Sequence, residues 1–228
     1  MAPRGGGAAG SRERENPHVF SSHRGRLLVA TPELGDPNFD RTVVLLLEHT
    51  PEGAVGVVLN RPSGTLLTEA GADWNGWDAF AAPPDVVFVG GPVARTAVIA
   101  VARTLPPRGT LGEPGGPGVS PEEPGGSGLS PVEPKTDGFQ PILGDHVGIV
   151  DLALEPRGVD AVRLFAGYAG WGGGQLEGEI SAGGWFVLDA LPSDPLSSDP
   201  EELWAEVLRR QGGRLALFAA CPADPSLN

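Results

Sequence analysis

The chain has one cysteine, Cys221, in 228 residues. A lone cysteine cannot close an internal disulfide or supply half of a thiolate zinc site. Long apolar runs are also missing. No stretch approaches the ~18 residues that a membrane helix needs, and the first residues lack the apolar centre of a secretory leader. Cytoplasm without membrane contact is the expectation. Positive charge is scarce, with 16 Lys and Arg against 29 Asp and Glu, a net charge of −13 and a pI near 4.6. Such a surface repels phosphate backbones, so direct nucleic-acid binding is not expected. Histidine occurs four times, at His18, His23, His49 and His146. No two are three or four positions apart, as helix-borne metal ligands would be. There is no G-x-S-x-G, no phosphate-loop signature and no dinucleotide fingerprint. These absences leave no assigned catalytic residue, no metal and no cofactor.

The informative stretch is residues 25–62. It carries three apolar runs at 27–30, 43–47 and 54–59, rich in Val and Leu and bounded by Gly, Pro and Asp or Asn. Runs of that length and composition read as buried strands. Residues 48–53 have turn chemistry, which predicts a hairpin between the second and third runs. Further strands are expected at 86–89, 98–101, 162–165, 185–188 and 215–219, with a short one near 147–151. Trp74, Trp77 and Phe80 recur at intervals of three, which predicts a short helix over 73–82 with an aromatic core face. Gly90-Gly91-Pro92 predicts a sharp turn, either exposing amides to an anion or letting two backbones approach closely. The glycine-dense segment 167–179 predicts a tight loop leading into a helix near Gln175. A helix from Ser198 to Gly212 has a capping Ser or Asp, Pro200 in its first turn and an apolar face of Leu203, Trp204, Val207 and Leu208.

Glycine and proline, 35 and 24 residues, together make about a quarter of the chain. They concentrate in residues 106–137, where EPGGPGVSPE is followed by EPGGSGLSPV. This segment offers almost no apolar surface and reads as a low-complexity insertion. The expected organisation is a disordered tail at 1–18, one domain over 19–221 interrupted by that insertion, and a tail at 222–228. About eight strands with two or three helices and no βαβ regularity argue for an α+β fold.

The pattern of Pro32, Asp36, Phe39, Thr42-Val43, Glu48-His49, Gly53-Ala54, Gly56 and Asn60-Arg61-Pro62 resembles the opening of the bacterial YqgE/AlgH family. The blocks Val89-Gly90-Gly91-Pro92-Val93 and Gly167-Tyr168-Ala169-Gly170-Trp171-Gly172-Gly173-Gly174-Gln175-Leu176-Glu177 extend the likeness. The insertion at 106–137 departs from it. The resemblance implies a bifurcated, largely antiparallel sheet curled into a pseudo-barrel with flanking helices. It carries the label transcriptional regulator but names no chemistry.

Binding residues tend to lie where strands become loops. On that ground Asp36, Glu48, His49, Asn60, Arg61, Gly90, Gly91, Tyr168, Trp171, Gln175 and Glu177 are the candidate ligand-binding residues. The alternative is that Asn60, Arg61 and Glu177 are hydrogen-bonders fixing irregular loops. Two functional readings follow. One is a non-enzymatic binding or regulatory protein acting on a protein or small-molecule partner. The other is an enzyme or small-ligand protein using a loop pocket around Glu48, His49 and residues 168–177.

Overall fold

The computed structural model describes residues 20–70, 74–105 and 138–220. The two tails and the insertion expected from the sequence therefore lie outside the described residues, as does Cys221. Ten strands form one branched sheet: β1 (Arg26–Ala30), β2 (Val43–Thr50), β3 (Gly53–Val58), β4 (Pro62–Leu66), β5 (Val86–Val89), β6 (Val93–Thr104), β7 (Gln140–Leu143), β8 (Val147–Val150), β9 (Val159–Gly172) and β10 (Trp185–Asp189). Three helices join them, α1 (Gln175–Ser181), α2 (Leu203–Gln211) and α3 (Gly213–Phe218). The main path runs β10-β1-β2-β3-β9-β6-β8-β7, and β4 and β5 branch from β9. Among the described residues every pairing between these strands is antiparallel except β5 with β9.

Strand β9 causes the bifurcation. Its last residues, Ala169 to Gly172, pair with β3, whereas its earlier part pairs with β6 and β5. The two halves of the sheet therefore diverge from one long strand and curl into a half-barrel. Where they meet again, Arg24 donates to the carbonyls of Leu47 and Pro141 at 3.0 and 2.6 Å. Gly25 lies so close to β7 that a Cβ there would sit 2.8 Å from the Ile142 carbonyl, and its φ is +77°. Only glycine meets both conditions without strain.

Strands β1 and β2 are buried on both faces, which explains their unbroken apolar runs. Leu27, Val29, Val43 and Leu45 pack under α2, whose Leu203, Trp204, Val207 and Leu208 are all at most 3% exposed. Leu28, Ala30, Val44 and Leu46 face the other way, against Trp171, Trp185 and Leu176 of α1. A third cluster fills the far half around Ala100, Val162, Leu164 and Trp77. The α+β half-barrel thus stands as the family resemblance implied.

Several local expectations are corrected. The aromatic stripe is a 3-10 turn, Trp77–Phe80, not a helix over 73–82. Asn75 and Gly76 both have positive φ, and the indoles of Trp74 and Trp77 are tied to the Leu67 and Leu154 carbonyls. The glycine-dense segment is strand as far as Gly172, because residues 169–172 pair with β3, whose Gly53 admits the close backbone. A Cβ on Gly53 would lie 2.3 Å from the Trp171 carbonyl. Residues 215–218 belong to helix α3, with Ala219 capping it, and Leu217 is 71% exposed while Leu215 and Phe218 pack inward. A short apolar run does not by itself distinguish strand from helix. Helix α2 begins at Leu203 rather than near Ser198, since buried Pro200 anchors a separate turn and its carbonyl accepts from Leu203. The hairpin turn is also shorter than 48–53, because β2 runs on to Thr50.

Candidate functional site

The end of β2 is where the sheet delivers polar side chains to a common place. The β2–β3 register shifts between Leu46 and Glu48, and a bulge of this kind re-aims the residues beyond it. Leu47 enters the core under α2, whereas His49 turns toward α1. Its side chain is 1% exposed, while Glu48 beside it is exposed.

Both nitrogens of His49 are engaged. Nδ1 accepts from the backbone N–H of His23 at 2.8 Å. With Nδ1 an acceptor, the neutral ring carries its proton on Nε2 and donates it to Glu177 Oε1 at 2.9 Å. Phe20 meets the ring edge-on at 4.8 Å and His23 stacks on it at 5.3 Å. The carbonyl of His49 accepts from Ser22 at 2.8 Å. The segment before β1 is thus fastened to β2 through one residue. Burial pushes the His23 pKa below its usual 6.5, and the neighbouring His49 and Arg26 add to the effect.

Beside this corner lies an open cleft of about 480 Å³. Leu47, Val55, Val98, Ile99 and Ile149 supply its apolar lining and Glu48 its acidic edge. Arg24, the staple across the half-barrel, also borders it. Among the described residues, no three His, Cys, Asp or Glu side chains gather in a way that would hold a metal ion.

Other candidates are dispersed. Trp171 donates its indole N–H to Glu179 Oε2 at 2.9 Å, and Trp185 donates to the same oxygen at 2.8 Å. Gln175 donates to Glu179 Oε1 at 3.0 Å and accepts from the Gly172 N–H at 3.1 Å. Glu179, absent from the sequence candidates, is the hub of this group. Its signal was its place on the helix turn that follows two singled-out residues. Tyr168 lies on the opposite face from Trp171, against the core under α2. The Gly90 N–H is spent on the Ala166 carbonyl, and a Cβ at Gly90 would lie 2.3 Å from the Gly167 carbonyl. This turn serves close backbone approach, and the Gly90 amide is not free for an anion. Asn60 accepts from the Val43 N–H and donates to the Arg41 carbonyl, at 2.9 and 2.8 Å. Arg61 donates to the Asp40 carbonyl. Asp36 accepts from Asn38 within its own turn. His49 and Glu177 thus come together, with Glu48 at the adjoining cleft, and Trp171 and Gln175 meet through Glu179, while Asn60 and Arg61 border a separate cavity.

Comparison with known proteins agrees with this architecture. The AlgH-like family model matches residues 27–216. A UPF0301 protein of Streptomyces coelicolor is 46% identical over 212 residues, covering 91% of this chain and 96% of that protein. Another from Thermobifida fusca is 44% identical over 209 residues, covering 90% and 94%. Among solved structures, a protein of Corynebacterium diphtheriae is similar with a TM-score of 0.69 at 29% identity, covering 92% of this chain and 96% of that one. The solution structure of AlgH from Pseudomonas aeruginosa gives 0.53, also at 29% identity, covering 90% and 98%.

Proposed function

The chain belongs to the AlgH-like family, and we propose that it is a non-enzymatic binding or regulatory protein of the cytoplasm, acting through a protein or small-molecule partner. One observation carries this reading. Both ring nitrogens of His49 are bonded within the protein, to the His23 backbone N–H and to Glu177, whereas the cleft beside them is open, largely apolar and about 480 Å³ in volume. Ligand pockets are commonly apolar clefts of ~300–1,000 Å³ with a few placed polar groups. Here Glu48 and Arg24 are those groups.

The enzymatic reading draws on the 2.9 Å contact between His49 and Glu177, which resembles a base held by an orienting carboxylate. Against it, Nδ1 is occupied by the His23 amide and Nε2 by Glu177, so neither nitrogen can accept a substrate proton until a bond to the protein breaks. A regulatory role through direct DNA contact conflicts with a net charge of −13.

The test is a thermal-shift screen of metabolites and short peptides, followed by NMR of the isoleucine methyl groups. Binding that moves Ile99 and Ile149 and is lost in Val98→Asp supports the cleft, since Val98 is 39% exposed at its wall. Turnover in an activity screen, abolished by Glu48→Ala or His49→Ala with the fold intact, would replace this reading with the enzymatic one. Sequence-dependent DNA affinity near ~10⁻⁸ M at physiological salt would establish DNA as the partner instead.

A further inference from the structure

A second cavity, also of about 480 Å³, shares no lining residue with the first. Arg41, Asn60, Arg61 and Arg209 line it together with Trp204, and Glu201 and Glu202 complete its charged wall. Three of the chain's 16 basic residues therefore converge on one cavity of an acidic protein.

The charges there are not equivalent. Arg209 is paired with Glu202 at 3.2 Å. Arg61 donates to the Asp40 carbonyl and forms no ion pair with any described residue. Arg41 holds its guanidinium 4.6 Å over the ring of Trp204. That ring is itself fixed, because its N–H donates to the Ala30 carbonyl at 2.9 Å. Arg41 also has a φ of +49°, which is costly for a residue with a side chain. The 6%-exposed amide of Asn60 holds it there by donating to the Arg41 carbonyl while accepting from the Val43 N–H. Arg61 is the next residue, so one buried amide sets the positions of both arginines. A strained backbone maintained by a buried side chain, presenting a planar cation at a cavity wall, is the kind of outlier that points to a ligand. Guanidinium groups match carboxylate and phosphate oxygens through paired N–H donors.

We propose that this cavity binds a small oxyanion, the carboxylate or phosphate group of a compact ligand, between Arg61 and the Arg41–Trp204 pair. Glu201 stands in the same wall and makes polyanions poor occupants, so the site selects a single acidic group. This inference is independent of the His49 cleft.

The experiment is 19F NMR of the full chain labelled with 5-fluorotryptophan. The Trp204 signal is assigned with Trp204→Phe and titrated with inorganic phosphate and with acetate at constant ionic strength. A saturable shift of the Trp204 signal is expected with at least one probe. Response to phosphate alone assigns phosphate esters, and response to acetate alone assigns carboxylates. Arg61→Gln should weaken binding ~10- to 100-fold, the loss expected for a charged hydrogen-bond partner. Glu201→Gln should tighten phosphate several-fold. Arg61→Lys, which keeps the charge but loses the planar fork, serves as the second variant if Arg61→Gln disturbs the amide spectrum, and it should weaken binding less. No saturable shift with either probe up to ~50 mM, or an equal shift in the folded Arg61 variants, overturns the proposal. Ligand binding at the Ile99 and Ile149 methyls is unaffected by either result, so this site and the cleft fail or stand separately.

Discussion

Replacing Trp204 with alanine tests whether α2 is an integral wall of the half-barrel or a detachable element. The indole is 3% exposed and sits among Leu203, Val207 and Leu208, which are 0–1% exposed. Emptying a buried aromatic site costs ~3–5 kcal/mol. Two further losses place this case at the upper end. The Ala30 carbonyl loses its indole donor, a bond worth about 1 kcal/mol net. Arg41 also loses the ring beneath it, worth ~0.5–2 kcal/mol. A cost of ~4–5 kcal/mol is a large share of a typical ~5–15 kcal/mol total. With a urea slope near ~3 kcal/mol/M, the midpoint should fall by about 1.5 M. Trp204→Phe keeps the packing but strands the carbonyl, and should cost ~1–2 kcal/mol. The assay is a urea melt followed by circular dichroism, so that removing a tryptophan does not remove the signal. An unshifted midpoint for Trp204→Ala would refute the packing argument and leave α2 as a separable element.

Two other outcomes follow from the same geometry. Glu179→Ala strands the buried indole N–H groups of Trp171 and Trp185 together, and at ~1–3 kcal/mol for each unsatisfied donor thermal melts should show a loss of ~2–6 kcal/mol. Glu179→Gln keeps an acceptor oxygen and should lose less than half as much. His23 has a folded pKa below its unfolded 6.5, owing first to burial and then to His49 and Arg26. Above 6.5 both states are neutral and stability is unaffected. Below it the unfolded chain takes up the proton first, so stability should fall as pH drops from about 6.5 toward the lower folded value. His23→Gln should flatten this pH dependence in a series of melts between pH 7 and 5, and an unchanged slope would exclude His23 as its source.

The strands of the first half were legible because β1 and β2 are covered on both faces, so their sequences are continuously apolar and bounded by turn residues. The later strand β9 was only partly legible. Its glycines at 167, 170 and 172 carry the composition of a loop, yet residues 169–172 pair with β3, and the turn between β5 and β6 presses its backbone against Gly167. Composition reports conformational freedom, and close packing of backbones uses the same residue for a different reason. At the site, Glu48, His49 and Glu177 were each identifiable as polar residues at strand or helix ends. That His49 touches Glu177, 128 positions away, depends on a bulge in β2 and a helix packed across it. Neither feature has a local signature.

The least legible residue is Arg163, and the reason for that is general to this fold. It lies inside the apolar run 162–165 and is 2% exposed. Burial pushes its pKa down to about 10. Among the described residues no carboxylate pairs with it. Its two terminal nitrogens donate to the carbonyls of Ala82, Pro83, Pro195 and Ser197, and the group lies 4.3 Å above the ring of Phe88. Those carbonyls belong to two segments flanking 3-10 turns, outside the regular ladder, so one side chain holds two irregular joints against β9. Arg24 does the same between Leu47 and Pro141, and Arg61 does it at Asp40. In an acidic chain the scarce guanidinium groups are thus spent partly on backbone oxygens. Any residue type can supply such an oxygen, so the partner leaves no mark in the sequence. Strands can be read from side-chain patterns, but joints made between an arginine and a carbonyl become visible only when the chain is folded.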